Sequence, residues 1–328
     1  MNKYIFILIS TVSAFTFGQS YAPAAGQPGS TAIPYDDPSI VNWASNVEIQ
    51  RGFLDISDTT LYQVGSNRAS FGSPVDAVGP ATTITTNTVS LGDSGVALVT
   101  FPFPITNGNG FDFAVFENGF DDNYLELAHV EVSSDGINYV RFPSHSETQT
   151  NTSIGGFGYL DPTHLYNLAG KYRAGWGTPF DLEELKDSAG LNVNAITHVK
   201  IIDVVGAIDA YGTNDSYGNK INDPYPTPFS SGGFDLSAIG VIHQSSLGLA
   251  SEDYNFNIYP NPSNGVFTIA TNGLAPNSLI ITNSLGRIVE EINISDGQNK
   301  ITVQLSKGVY FIHDKNSGIS NSQRIIVQ

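Results

Sequence analysis

Apolar and polar residues alternate over short runs through most of this chain, and glycine, proline, asparagine or aspartate separates one run from the next. That is the period of a strand with one buried face. The runs 96–101, 111–116, 198–205 and 234–242 read as strands. The clearest hairpin joins 128–133 to 138–142 around Ser134-Asp135-Gly136-Ile137. Asp-Gly there tolerates the positive φ of a tight reversal. Val130 and Val132 fall on one face of its first strand, His129 and Glu131 on the other. One short helix is expected over 178–186, with Thr178 as cap, Pro179 in the first position and Asp181 completing a capping box. With so many strands and one short helix, two packed sheets are the economical solution, an all-β sandwich over 21–244.

The pattern changes at both ends. Residues 245–253 read as a linker. A second set of short strands follows in 254–328, near 256–259, 265–269, 278–282, 287–294, 300–305, 308–313 and 323–327. At the start, Lys3 precedes an apolar stretch over 4–17, and Gly18 and Ser20 stand three and one positions before Tyr21. This is the pattern of a secretory signal peptide, 1–20, removed ahead of Tyr21. The stretch is shorter than the ~20 residues a membrane span needs and is interrupted by Ser10, Thr11 and Ser13. No later run is long and apolar enough to span, so no transmembrane segment is expected in the mature chain.

Composition narrows the classes. The 328 residues include no cysteine, which excludes disulfides and a thiol nucleophile. Thirty-one acidic residues against 14 basic ones give a net charge of −17, the wrong sign for nucleic acid, whose phosphates need Lys and Arg.

The terminal strand set opens on Tyr259-Pro260-Asn261-Pro262 with Gly265 and Phe267-Thr268-Ile269. It continues through Leu285-Gly286-Arg287 and the run Lys307-Gly308-Val309-Tyr310-Phe311, and ends on Ile325-Ile326-Val327. It resembles the type A C-terminal sorting domain of cargo for the type IX secretion system of Bacteroidetes. The resemblance implies a small immunoglobulin-like β-sandwich, Sec export followed by the type IX secretion machinery, and a secreted or surface-attached product. It also implies that Tyr259, Pro260, Asn261, Pro262, Gly265, Lys307, Gly308, Val309 and Tyr310 carry the sorting signal. The stretches 90–95, 104–108, 112–120, 132–136, 232–236 and 238–241 resemble an uncharacterised family of bacterial cell-surface or secreted proteins. The hairpin 133–139 resembles one in galactose-binding-like sandwiches, which implies a jelly-roll-like fold for 21–244.

Two acidic groups are the candidate chemistry: Glu117, Asp121, Asp122 and Glu126 after one strand, and Asp203, Asp209, Asp215, Asp223 and Asp235 around the polar loop 206–231. Calcium takes six to eight oxygen ligands in a forgiving geometry, and a structural Ca²⁺ held by Glu117, Asp203, Asp223 and Asp235 is expected. Aromatic residues in Gly-rich loops suit stacking on a sugar or another flat ligand; Tyr172, Trp176, Tyr211 and Tyr217 are the expected ligand-binding set. The functional expectation is a non-enzymatic binding protein for a glycan or other surface partner. Two alternatives stand beside it: a glycoside-type hydrolase using paired carboxylates from Glu117, Glu126 and Glu131, and a calcium-stabilised structural surface protein. No His-x-His, His-Glu-x-x-His or Gly-x-Ser-x-Gly pattern marks a zinc or serine hydrolase.

Overall fold

The computed structural model describes residues 21–245, 255–272, 278–284, 287–294, 298–303, 305–314 and 323–328. The expected signal peptide and nearly all of the expected linker lie outside the described residues. The chain divides into two compact units, with the division between Ser245 and Ser246.

The larger unit is all-β. A five-stranded antiparallel sheet runs in the order Asn46–Gln50, Val96–Ile105, Ile196–Asp203, Ala128–Ser133, Val140–Arg141. A second antiparallel sheet orders Ile33–Pro34, Trp176–Phe180, Phe113–Glu117, Asp235–Val241 and Asn42–Trp43, with Val89–Ser90 also paired to Asp235–Val241. Their inner faces share one core. Val99, Val130, Val199 and Ile201 come from the first sheet, and Phe113, Val115, Leu236 and Ile239 from the second. The rings of Phe113, Phe142 and Phe180 pack with centroids 5.0–5.9 Å apart.

Side-chain period explains where the acids go. Along Ile196–Asp203 the inward face carries Val199, Ile201 and then Asp203, so the alternation that buries two aliphatics also carries a carboxylate into the end of the sandwich. Phe113–Glu117 is buried at all five positions. Ile33, Ile40, Trp43 and Ala81 cover its outer face at Ala114 and Phe116, and Glu117 is buried with the rest of the strand.

The expected helix over 178–186 does not form. Residues Trp176–Phe180 are a strand in register with Phe113–Val115. A 3-10 turn, Leu182–Leu185, follows with Asp181 as its cap, accepting from the Glu183 N–H at 2.9 Å. Burial of Phe180 between Phe113 and Phe142 outweighs the local capping signal at Thr178. Phe180 O accepts from Asp112 N; by alternation Pro179 faces the other side. There the two-residue partner strand Ile33–Pro34 pairs with Trp176 and Gly177, so the missing N–H of Pro179 costs no ladder bond.

The smaller unit is also all-β. It has a sheet of Asn255–Tyr259, Val266–Asn272 and Gln298–Thr302, and another of Ile288–Asn293, Ser278–Asn283, Gly308–Asp314 and Gln323–Val327. Phe267 and Ile269 pack with Leu279, Ile281, Tyr310, Ile312, Ile325 and Val327 between them. The opening Pro-Asn-Pro turn is tied to the last strand. Asn261 Oδ1 accepts from Ile326 N at 2.9 Å and Asn261 Nδ2 donates to Arg324 O at 2.7 Å. Ser263 N donates to Ile326 O, and Gln328 N donates to Ser263 O. Gly265 has φ +93°, and a Cβ there would stand 2.9 Å from Val303 O. Tyr310 is buried and its hydroxyl donates to Ser306 O. Tyr259, Lys307 and Val309 are exposed.

Two outcomes follow. The 21–245 segment alone should give a β-type far-UV spectrum and one cooperative melt, since its core draws on no residue beyond 241. Asn261→Ala should remove two hydrogen bonds and destabilise the smaller unit by about 1–2 kcal/mol. Calorimetry of that unit checks the loss, and the exported fraction of the full chain should fall with it.

Candidate metal centre and ligand pocket

Six carboxylates converge where the two sheets end together. Glu117 closes its strand, and Asp235 opens the antiparallel neighbour, where Leu236 stands opposite Glu117. Asp203 closes a strand of the other sheet opposite Ala128, two residues after Glu126. Asp93 follows Val89–Ser90, and Asp223 arrives from the 206–231 loop. All six are at least nine-tenths buried. Among the described residues none of the six makes an ion pair. The positive charge felt at Asp235 is that of Arg51, whose guanidinium donates to the carbonyl oxygens of Phe71, Ser90 and Gly72 rather than to a carboxylate.

The six divide by what their oxygens already do. Asp203 is spent on the fold: Oδ2 accepts from Ser94 N at 2.9 Å and Oδ1 from Phe234 N at 2.7 Å. Asp93 Oδ2 accepts from Ile56 N. Asp223 Oδ2 accepts from Leu127 N at 2.9 Å, while its Oδ1 is buried with no partner. That oxygen sits so close to Gly206 that a Cβ there would come within 1.9 Å of it, which requires glycine. Glu117, Glu126 and Asp235 are the group with oxygens to spare. Each offers one carboxylate oxygen, and the three lie within 4.8 Å of one another. Glu117 Oε2 accepts from Gly119 N, and Asp235 Oδ2 accepts from Asn118 Nδ2. Asp235 Oδ1 is buried without a partner.

Electrostatics match that geometry. Burial, then the neighbouring carboxylate charges, hold Glu117 and Glu126 well above the usual carboxylate range. Asp203 and Asp223 are raised by burial and by neighbouring aspartates. Burial pushes Asp93 and Asp235 up to about 7. An all-oxygen anionic donor set around an orphaned oxygen suits a hard divalent cation such as calcium.

Above the cluster opens a pocket of about 270 Å³, with Glu126, Asp235 and Asn118 toward its floor and Phe71, Tyr124 and Phe229 among its walls. Phe120 and Phe157 also line it and are 71% and 73% exposed. Successive rings of Phe120, Tyr124, Phe157 and Phe229 lie 5.9, 6.5 and 6.0 Å apart.

The expected metal set is thus partly gathered. Glu117 and Asp235 come together with Glu126, a member of the first acidic group; Asp203 and Asp223 border them and bond backbone N–H groups. Asp121, Asp209 and Asp215 organise turns, accepting from the N–H groups of Asn123, Tyr211 and Tyr217 respectively, and Asp122 pairs with Arg173. Glu131 pairs with Arg141 and Lys200. The expected aromatic set does not assemble here. Tyr172 is buried with its hydroxyl on Thr31, Tyr217 packs on His145 at 4.6 Å, and neither they nor Trp176 and Tyr211 line this pocket. The rings that do were legible only as Phe120 and Tyr124 lying between Glu117 and Glu126, and Phe157 among glycines.

Residues 257–328 match the model of the secretion system C-terminal sorting domain. The tail is therefore a type IX sorting domain, the Sec and type IX machineries are this chain's export partners, and its destination is extracellular, secreted or surface-attached. Among the described residues no helix is long and apolar enough to cross a membrane. No curated protein matches the chain. Among solved structures, the BSP domain of a biofilm associated protein is similar over 89% of this chain and 52% of its own, at 8% identity and TM-score 0.21. A β-glucuronidase from Ruminococcus gnavus in complex with uronic isofagomine is similar over 72% and 35%, at 11% identity and TM-score 0.19. This chain spans about half or less of those chains, and scores this low carry no statement about function.

Raised carboxylates set the pH dependence. Their folded values lie above unfolded ones of ~4, so the folded chain holds more protons in between and stability falls as pH rises from ~4 through 7. In chelator, the melting temperature should drop from pH 5 to pH 8; with calcium the drop should shrink, because a bound cation keeps the ionised cluster neutralised. Melts in the two buffers across that range check it. Substitutions should separate the roles. Asp203→Ala leaves the buried Phe234 N–H and the part-buried Ser94 N–H bare and should cost about 2 kcal/mol or more with or without calcium. Glu126→Gln should stabilise the chelated protein and abolish its response to calcium.

Proposed function

We propose that the larger unit is a non-enzymatic binding module of a secreted or surface-attached protein, taking a glycan in the aromatic-rimmed pocket above a calcium-neutralised acidic floor. We take its sandwich as jelly-roll-like, or galactose-binding-like, and the smaller one as immunoglobulin-like. The observation that carries the reading is that exposed Phe120 and Phe157 and buried Glu126 and Asp235 line one pocket. Exposed rings gathered in one patch mark an interaction site, and they offer flat faces to a sugar ring. A cation beneath them would present positive charge to ligand hydroxyls where bare carboxylates would repel anything acidic.

A hydrolase is the second reading, favoured by a specific observation. Glu126 and Asp235 have oxygens within 4.8 Å, compatible with the ~5–5.5 Å carboxyl separation of retaining glycosidases, and raised values suit a general acid. Against it, the free Asp235 oxygen is buried away from solvent. It can receive a cation inside the cluster more readily than it can attack a bound sugar.

A panel of soluble glycans titrated into the exported chain, with calcium and with EDTA, tests the choice. Binding should require calcium and weaken at least tenfold in Phe120→Ala and Phe157→Ala, since stacking contacts are worth about 1–3 kcal/mol. Release of reducing ends that disappears in Glu126→Gln would establish the hydrolase. Calcium binding with no glycan bound would leave a calcium-stabilised structural surface protein.

A further inference from the structure

A second pocket, of about 210 Å³, shares no lining residue with the first. At its base is Lys171, 5% exposed. Its ammonium donates to Leu165 O at 2.7 Å. Among the described residues no carboxylate lies within ion-pair distance of it. An ammonium carries three donors, so two remain to be satisfied. Burying an unpaired charge costs several kcal/mol, and most buried lysines are paired for that reason. Burial brings Lys171 down to about 8, which still leaves it charged at neutral pH.

A second group lining the pocket has no hydrogen-bond partner at all. Thr178, 3% exposed, lines the same pocket and its hydroxyl has no hydrogen-bond partner. The strand that replaced the expected helix put it there, since pairing of Thr178 with Val115 takes the hydroxyl away from any capping role. The remaining surface is aromatic and polar. Tyr21 and Tyr166 stack at 5.0 Å, and the Tyr21 and Tyr172 rings lie 6.0 and 5.6 Å from the ammonium. Glu184 Oε2 holds the Asn167 amide at 2.7 Å, and both face the pocket.

We propose that this pocket binds a single carboxylate-bearing sugar, the carboxylate on Lys171, a hydroxyl on Thr178 and the ring against the Tyr21–Tyr166 stack. The unpaired ammonium selects an anion. The stacked rings and the bound amide–carboxylate pair select a ligand with a flat face and hydroxyls over a bare ion. Tyr172 belongs to a ligand site after all, as part of this wall. The proposal is independent of the calcium-floored pocket, because no carboxylate of that cluster lines this one.

The test is isothermal titration of the exported chain, residues 21–328, with D-galacturonate, D-galactose and acetate, all in EDTA so that the first pocket holds no calcium. Galacturonate should bind at least tenfold more tightly than either of the others, as one charge-assisted hydrogen bond is worth about 1.5–3 kcal/mol. Lys171→Met and Thr178→Val should each weaken it, the first by at least tenfold, while melts show both variants folded. No binding of galacturonate, equal affinity for galactose or for acetate, or undiminished binding in both variants would each overturn the proposal.

Discussion

Uncompensated negative charge inside the larger sandwich is the constraint on which its architecture turns. Asp93, Glu117, Glu126, Asp203, Asp223 and Asp235 are buried at one end, and the cationic side chain felt there, Arg51, is engaged with backbone carbonyls. A buried unpaired carboxylate costs several kcal/mol, and a domain's whole stability is usually ~5–15 kcal/mol. Six ionised groups could not be carried on those terms. Protons can neutralise the cluster, as the raised values imply, or a cation can. Under the proposed reading a cation is the second solution, and it would keep the fold while fixing the floor of a pocket.

The fold builds this end with ordinary means. Backbone N–H groups of Ser94 and Phe234 hold Asp203, and Leu127 N holds Asp223, so these carboxylates clamp loops across the ends of both sheets. Glu117, Glu126 and Asp235 remain to converge. Part of the aromatic rim rises from the same loop: Phe120 and Tyr124 sit between Glu117 and Glu126 in the chain, so one segment supplies both acids and rings. The sorting unit solves a different problem. Its opening turn is fastened to its final strand by the Asn261 amide, and Tyr259, Lys307 and Val309 stand exposed on its surface.

Much of this was legible in the sequence. Period-two alternation places strands at 96–101, 128–133 and 198–205, where the structure has Val96–Ile105, Ala128–Ser133 and Ile196–Asp203, and it places the seven strands of the tail, because each buries one face against a sheet it must meet. The 178–186 helix was misread: Phe180 has a slot between Phe113 and Phe142 that no local signal announces. Acidic density pointed to the end of the sandwich where the carboxylates gather, yet it could not tell Asp203 and Asp223, whose oxygens bond backbone N–H groups, from Glu126, which groups with Glu117 and Asp235. Which carboxylate oxygens backbone N–H groups consume depends on loops 31 to 109 residues apart in the chain. For the same reason the expected aromatic set and the rings that line the pocket above the acids differ. Tyr211 and Tyr217 are dense in sequence but do not face the pocket, whereas Phe157 and Phe229 reach it from separate loops.

The claim that a cation completes the acid cluster is tested most directly by counting it. The exported chain, purified without chelator and dialysed against micromolar calcium, should retain one calcium ion per molecule by elemental mass spectrometry, and Glu126→Gln and Asp235→Asn should retain none while melting as folded proteins. A wild-type chain that holds no calcium, or variants that hold as much as wild type, would contradict the account and leave protons as the cluster's means of neutralisation.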